Sequence, residues 1–150
     1  MQQIPHQKIS ARWVLTMCGE LLENGVVEIH EGRITNVRPA RPGEELLELG
    51  EVALVPGLVN THTHLEFSKR AQPIEASSFT DWIRKLVSYR REQLATSEQR
   101  LSAIRQGIAE SISSGVTTIG EIASDSQSGQ AYASLPAPSV VMREVIGTAA

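Results

Sequence analysis

The sequence predicts an α/β fold in two parts: a β-rich segment over residues 1–56, then a parallel α/β segment over residues 57–150. Three observations carry this. Short apolar runs separated by turn residues fill the first part. Strand-like and helix-like patterns alternate after Pro56-Gly57, and the strands of the second part are richly apolar. Short strands with turns between them suggest part of a small β-sandwich. Strands joined through helices run parallel, because the crossover carries the chain back to the same end. Such sheets are normally covered on both faces, which accounts for their apolar runs.

In the first part, Ala11 to Met17 (ARWVLTM) reads as a strand. Gly25 to Val37 reads as a hairpin, with Val26, Val27 and Ile29 before Glu31-Gly32 and Ile34 and Val37 after it. Gly32 can supply the positive φ of a tight turn. Arg41 to Glu45 is a polar turn, and Glu51 to Gly57 is a short strand broken by Pro56-Gly57. In the second part, Leu58 to Leu65 (LVNTHTHL) reads as a buried strand. Ala76 to Leu94 is a helix capped by Ser77 or Ser78. Its stripe of Phe79, Trp82, Ile83, Leu86 and Val87 is expected to pack into the core. Thr96 to Gly115 is a second helix. Thr96 and Gln99 fit a capping box, Leu101, Ile104, Ile108 and Ile112 line one side, and Gly115 is a stop. Val116 to Ile122 is the next strand, a short helix is expected within Ser124 to Leu135, and Ser139 to Gly147 is a third strand after Pro136 and Pro138.

Composition narrows the function. With 14 Lys plus Arg against 17 Asp plus Glu, the formal charge of −3 gives no electrostatic footprint for nucleic acid or an anionic membrane. No apolar run is long enough to span a bilayer, and the first ten residues lack the apolar core of a signal peptide. Cys18 is the only cysteine, so no internal disulfide can form. A cytoplasmic protein is expected. Neither glycine-rich phosphate-loop pattern is present.

The chemistry concentrates at the carboxyl ends of the second-part strands, the functional side of parallel α/β sheets. Strand side chains alternate with period two, so Asn60, His62 and His64 are expected on one face. Imidazoles two residues apart on a strand are roughly 6.5–7 Å apart at the backbone and can reach one ion. The plainer reading is a pair of surface or hydrogen-bonded histidines. Glu66 follows the pair, Glu121 ends the second strand and Glu144 approaches the end of the third. Each is a candidate for touching substrate or orienting a ligand. The alternatives are an exposed loop carboxylate for Glu66 and an ion pair with an arginine such as Arg143 for Glu121. Ser68, Lys69 and Arg70 read as a solvated loop, and Cys18 as a small apolar filler.

The stretch VPGLVNTHTHLEFS resembles the opening signature of the amidohydrolase superfamily, in which Pro-Gly-(Leu/Phe)-(Val/Ile)-(Asn/Asp)-x-His-x-His begins a TIM-type barrel. NGVVEIHEGRITNV resembles the superfamily's N-terminal β-sandwich segment, and SGVTTIGEIAS the second barrel strand of its deaminase-like branch. HTHLEFS together with REVIG is most similar to aminodeoxyfutalosine deaminase-like enzymes. The resemblance implies a partial barrel of about three β/α units after part of a sandwich. It implies a divalent metal, zinc by default with iron an alternative, held by His62 and His64. It also implies hydrolysis of non-peptide C–N bonds in a small purine-like substrate by metal-activated water. One or two ions are open, as is a homo-oligomeric full-length form.

The superfamily takes a third His from the fifth barrel strand, an Asp from the eighth and, in the binuclear branch, a carboxylated Lys from the fourth. His6 and His30 lie in the β-rich segment and match none of these. The expectation is therefore an N-terminal portion with an incomplete site, inactive alone. The rival expectation is a non-catalytic relative that binds a partner chain to complete the barrel.

Overall fold

The computed structural model describes residues 6–125, 128–133 and 139–144. They divide into two compact units between Pro56 and Gly57.

The first unit is one five-stranded sheet. Strands β1 (Gln7–Val14), β2 (Leu22–His30) and β3 (Arg33–Pro39) form an antiparallel meander. Two short strands, β4 (Leu47–Glu48) and β5 (Ala53–Leu54), lie parallel to β1 on its other side. The β2–β3 connection is Glu31-Gly32, with φ of 51° and 74°. Positive φ at both central residues matches the twist of the flanking strands, so a two-residue loop suffices. The first strand begins four residues before the expected Ala11, and Met17 lies outside it with φ of 63°. Residues 7–10 are recruited by pairing with β2, which local pattern does not reveal. Strand β4 was not expected from the sequence; its two residues are exposed and held by the edge of β1. Ala11, Val14 and Val27 are the buried core here, with Leu22, Ile29, Val37 and Leu54 packed against them. Beside this core Arg38 joins Glu28 and Glu44 at 2.6 Å each.

The second unit contains a three-stranded parallel sheet in the order β6 (Leu58–Thr63), β7 (Val116–Ala123), β8 (Ser139–Arg143). Helices α1 (Phe79–Gln93) and α2 (Ser97–Ser113) fall between β6 and β7, and α3 (Ser128–Tyr132) between β7 and β8. Ser78 caps α1 by accepting from the Asp81 N–H, and the Thr96–Gln99 capping box of α2 forms as expected. The Gly115 N–H donates to the Ile112 carbonyl at 3.0 Å and closes α2. Leu65, Ile104, Ile108, Ile119, Ala131 and Tyr132 form one buried cluster. No helix among the described residues is long and apolar enough to cross a membrane.

Three expectations need correction. The strand carrying the histidines is not buried: Leu58 and Val59 are exposed, and among the described residues β6 pairs with β7 alone. The apolar stripe of α1 is not core either. Phe79, Trp82, Ile83 and Val87 are all exposed and no residue of α1 is buried. Ile112 at the end of the α2 stripe is likewise exposed. Helical periodicity identifies which face is apolar, but whether another element reaches that face is a tertiary matter. The third strand ends at Arg143, leaving Glu144 just past it; Val145 to Gly147, Pro136 and Pro138 lie outside the described residues.

Candidate functional site

Strand β6 is irregular where its polar residues begin. Asn60 pairs with Ile119 and Thr63 with Glu121, so three steps along β6 match two along β7. The extra residue is a bulge. Asn60 Oδ1 accepts from the His62 N–H at 3.2 Å, a local bond of the type that competes with ladder pairing. At the same level Gly120 lies so close to β6 that a Cβ there would sit 2.5 Å from the Thr61 carbonyl oxygen. Only glycine lets the two backbones approach this way.

The bulge breaks the simple alternation from which a shared face for His62 and His64 was expected. His64 leaves the strand altogether. With φ of −120° and ψ of 80° it heads a single 3-10 turn, Leu65–Phe67, whose Phe67 N–H donates to the His64 carbonyl at 3.1 Å. The two rings nonetheless stand together, with centroids 5.4 Å apart and planes at 68°. His62 is exposed and His64 half-buried, and Phe67 lies 6.4 Å beyond the His64 ring. Two imidazoles this close fit two nitrogen positions of a single first-row divalent ion, for which Zn–N is about 2.0–2.1 Å. Among the described residues, no group of three or more His, Cys, Asp or Glu converges on a metal position.

Two carboxylates are buried beside the pair. Glu121 is 1% exposed, and both of its oxygens lie 3.1 Å from the Leu65 N–H, so the second strand anchors the turn that follows His64. No arginine pairs with it among the described residues. Burial pushes its pKa up to about 7, helped by the nearby charge of Glu66 and opposed by the bond from Leu65. Tyr132 is buried against it. Among the described residues its hydroxyl makes no hydrogen bond of good geometry, and burial together with Glu121 raises its pKa.

Glu66 is 4% exposed rather than a loop carboxylate in solvent. Its Oε1 accepts from Ser124 Oγ at 2.6 Å and its Oε2 from Arg90 Nε at 3.3 Å, while Arg90 Nη2 donates to Ser124 Oγ at 2.6 Å. This closed network ties the turn after His64 to the last turn of α1 and the end of β7. Neither Arg90 nor Ser124 is among the site candidates that the sequence pattern singles out. One signal for Arg90 was available. It sits four residues after Leu86, so the apolar stripe runs into it, and a charge on such a face calls for a buried partner. Glu144 stands apart: it is exposed, and its N–H donates to the Ala123 carbonyl at 2.9 Å.

The sequence pattern of the Amidohydrolase family matches residues 53–143. Aminodeoxyfutalosine deaminase of Nitratiruptor sp. is 34% identical over 100 residues, covering 63% of this chain and 23% of that protein. The aminofutalosine deaminase of Helicobacter pylori, solved with methylthio-coformycin, superposes with a TM-score of 0.80 at 24% identity, over 96% of this chain and 36% of that one. An adenosine deaminase from Xanthomonas campestris, solved with bound zinc, superposes with a TM-score of 0.64 at 20% identity, over 85% of this chain and 31% of that one. The chain thus spans about a quarter of the curated relative and about a third of these solved structures.

Proposed function

The chain belongs to the amidohydrolase family, and from that premise we propose that it is the N-terminal part of a metal-dependent hydrolase deaminating a small purine-like molecule. The observation that carries this reading is the pairing of the His62 and His64 rings at the end of β6, inside the stretch that matches the family. Residues 1–56 would be a portion of a β-sandwich and residues 57–150 the first three β/α units of a barrel. The deaminase relatives support the reaction class.

His62 and His64 would hold a zinc ion, a choice supported by the zinc in the Xanthomonas campestris enzyme. Such an ion supplies a water of lowered pKa as nucleophile. The chain's other residues position and shield. Glu121 fixes the Leu65 N–H, which sets where His64 leaves the strand. Glu66, Ser124 and Arg90 hold the following turn against α1 and β7. Glu144, exposed at the end of β8, is left to meet substrate.

Equilibrium dialysis of the purified protein against zinc, followed by metal analysis, tests the centre. We expect weak binding, since only two ligands come from this chain, and its loss in His62→Ala and in His64→Ala. Retention of zinc in both variants would overturn the assignment. For a protein that carries this chain together with the rest of a barrel, ammonia release from a 6-aminopurine nucleoside is the expected activity, and its absence in a metal-loaded preparation would sink it.

A further inference from the structure

The second unit holds a pocket that the histidine pair does not use. Arg90, Arg91, Leu94, Ala95 and Arg100 line an open cavity of about 320 Å³ between the last turn of α1 and the first turns of α2. Three of its five lining residues are arginines. Leu94 is 3% exposed and forms an apolar wall. Two of the guanidiniums are held by other residues. Arg90 donates to Glu66 and Ser124, and Arg100 donates to the Leu94 and Ala95 carbonyls while pairing with Asp125 at 2.9 Å. Arg91 makes no ion pair or side-chain hydrogen bond among the described residues and is exposed. Arg90 and Arg100 are thus paired with Glu66 and Asp125, and Arg91 has no ion-pair partner among the described residues.

We propose that this pocket binds the oxyanion of a small ligand, a phosphate or a carboxylate. Guanidinium groups present planar forks of N–H donors that match such oxyanions. Arg91 offers its whole fork, while Arg90 and Arg100, held in place by their own partners, have an Nη1 and an Nη2 group respectively outside those bonds, which lowers the ordering cost of binding. Because Arg90 also holds Glu66, the pocket lies one residue removed from the turn that follows His64. The proposal does not depend on metal binding or hydrolysis.

The test is a titration of the protein, freed of metal over a chelating resin, with inorganic phosphate and separately with acetate. The readout is the arginine Nε–Hε resonances by NMR, with sodium chloride matched for ionic strength. We expect a saturable shift of Arg91 and Arg90 by one of the two anions, which identifies the source of the oxyanion. Arg91→Ala should weaken that binding by roughly tenfold, the size expected for a lost hydrogen bond to a charged group. Arg91→Lys should fall between, and Arg105→Ala, on α2 outside the pocket, should bind as the parent does. Shifts reproduced by chloride, or unchanged affinity in Arg91→Ala, would overturn the proposal. Arg91 is exposed and makes no side-chain bond among the described residues, so its replacement leaves the fold in place and either result is decisive.

Discussion

One carboxylate site in each unit, Glu28 and Glu44 around Arg38 in the first and Glu121 in the second, is built in the opposite way from the other. In the first, Glu28 and Glu44 both pair with Arg38, which holds the Glu44 pKa below its ordinary value. In the second, Glu121 is buried and accepts from the Leu65 backbone N–H, with no cation paired to it among the described residues, and burial drives its pKa up. The first arrangement braces a sheet. The second keeps a group that can change protonation near neutrality beside the proposed metal centre, where a shifted carboxyl is more useful than a stable one. Exposed apolar surface does not distinguish the units: the first leaves Met17, Leu21, Ile34 and Leu47 in solvent, and the second leaves Leu58, Val59, Val140, Val141 and Met142 of its sheet, together with the α1 stripe.

The comparison can be broken at several points. The largest effect is expected from Ile104→Ala, which empties the centre of the second unit's cluster. It should cost roughly 2–5 kcal/mol and lower the unfolding midpoint of that unit, leaving the β1–β3 sheet protected in hydrogen exchange. Equal loss of protection in both units would show that they do not unfold separately.

Next is Arg90→Ala. It leaves Glu66 buried without its cation, at a cost of roughly 2–4 kcal/mol, toward the lower end because Arg90 is itself partly exposed. Double substitution with Glu66→Gln should recover part of this in denaturant unfolding. If the double variant is as unstable as the sum of the singles, the pair is not coupled.

The pH dependence should have opposite sign in the two units. Glu44 has a folded pKa below its unfolded value, so its contribution is present above about 4.5 and lost as pH falls through the folded value. Glu121 has a folded pKa of about 7, so its contribution is full below about 4.5 and lost as pH rises through 7. Residue-resolved hydrogen exchange between pH 4.5 and 7.5 should show the second unit loosening with pH. Glu121→Gln should flatten that trend, and a slope unchanged by the substitution would assign it to another group.

The smallest effect is expected from Phe79→Ser on the exposed stripe of α1, within about 0.5 kcal/mol. A loss above 2 kcal/mol would mean that this face is covered in solution.

The amino-acid sequence by itself determined what is encoded locally. The Glu31-Gly32 turn, the Thr96–Gln99 capping box, the α2 stop and the placing of a histidine pair at the end of an apolar strand all depend on neighbours within a few residues. Tertiary structure alone decided three other things: that β6 bulges against Gly120, that Glu66 is sealed under Arg90 and Ser124, and that the α1 stripe stays in solvent. The reason is range. Ser124 lies fifty-eight residues from Glu66, and Glu121 fifty-six from Leu65. Burial and the pKa shifts it causes depend on which distant segment arrives, and no periodicity within a strand or helix records that.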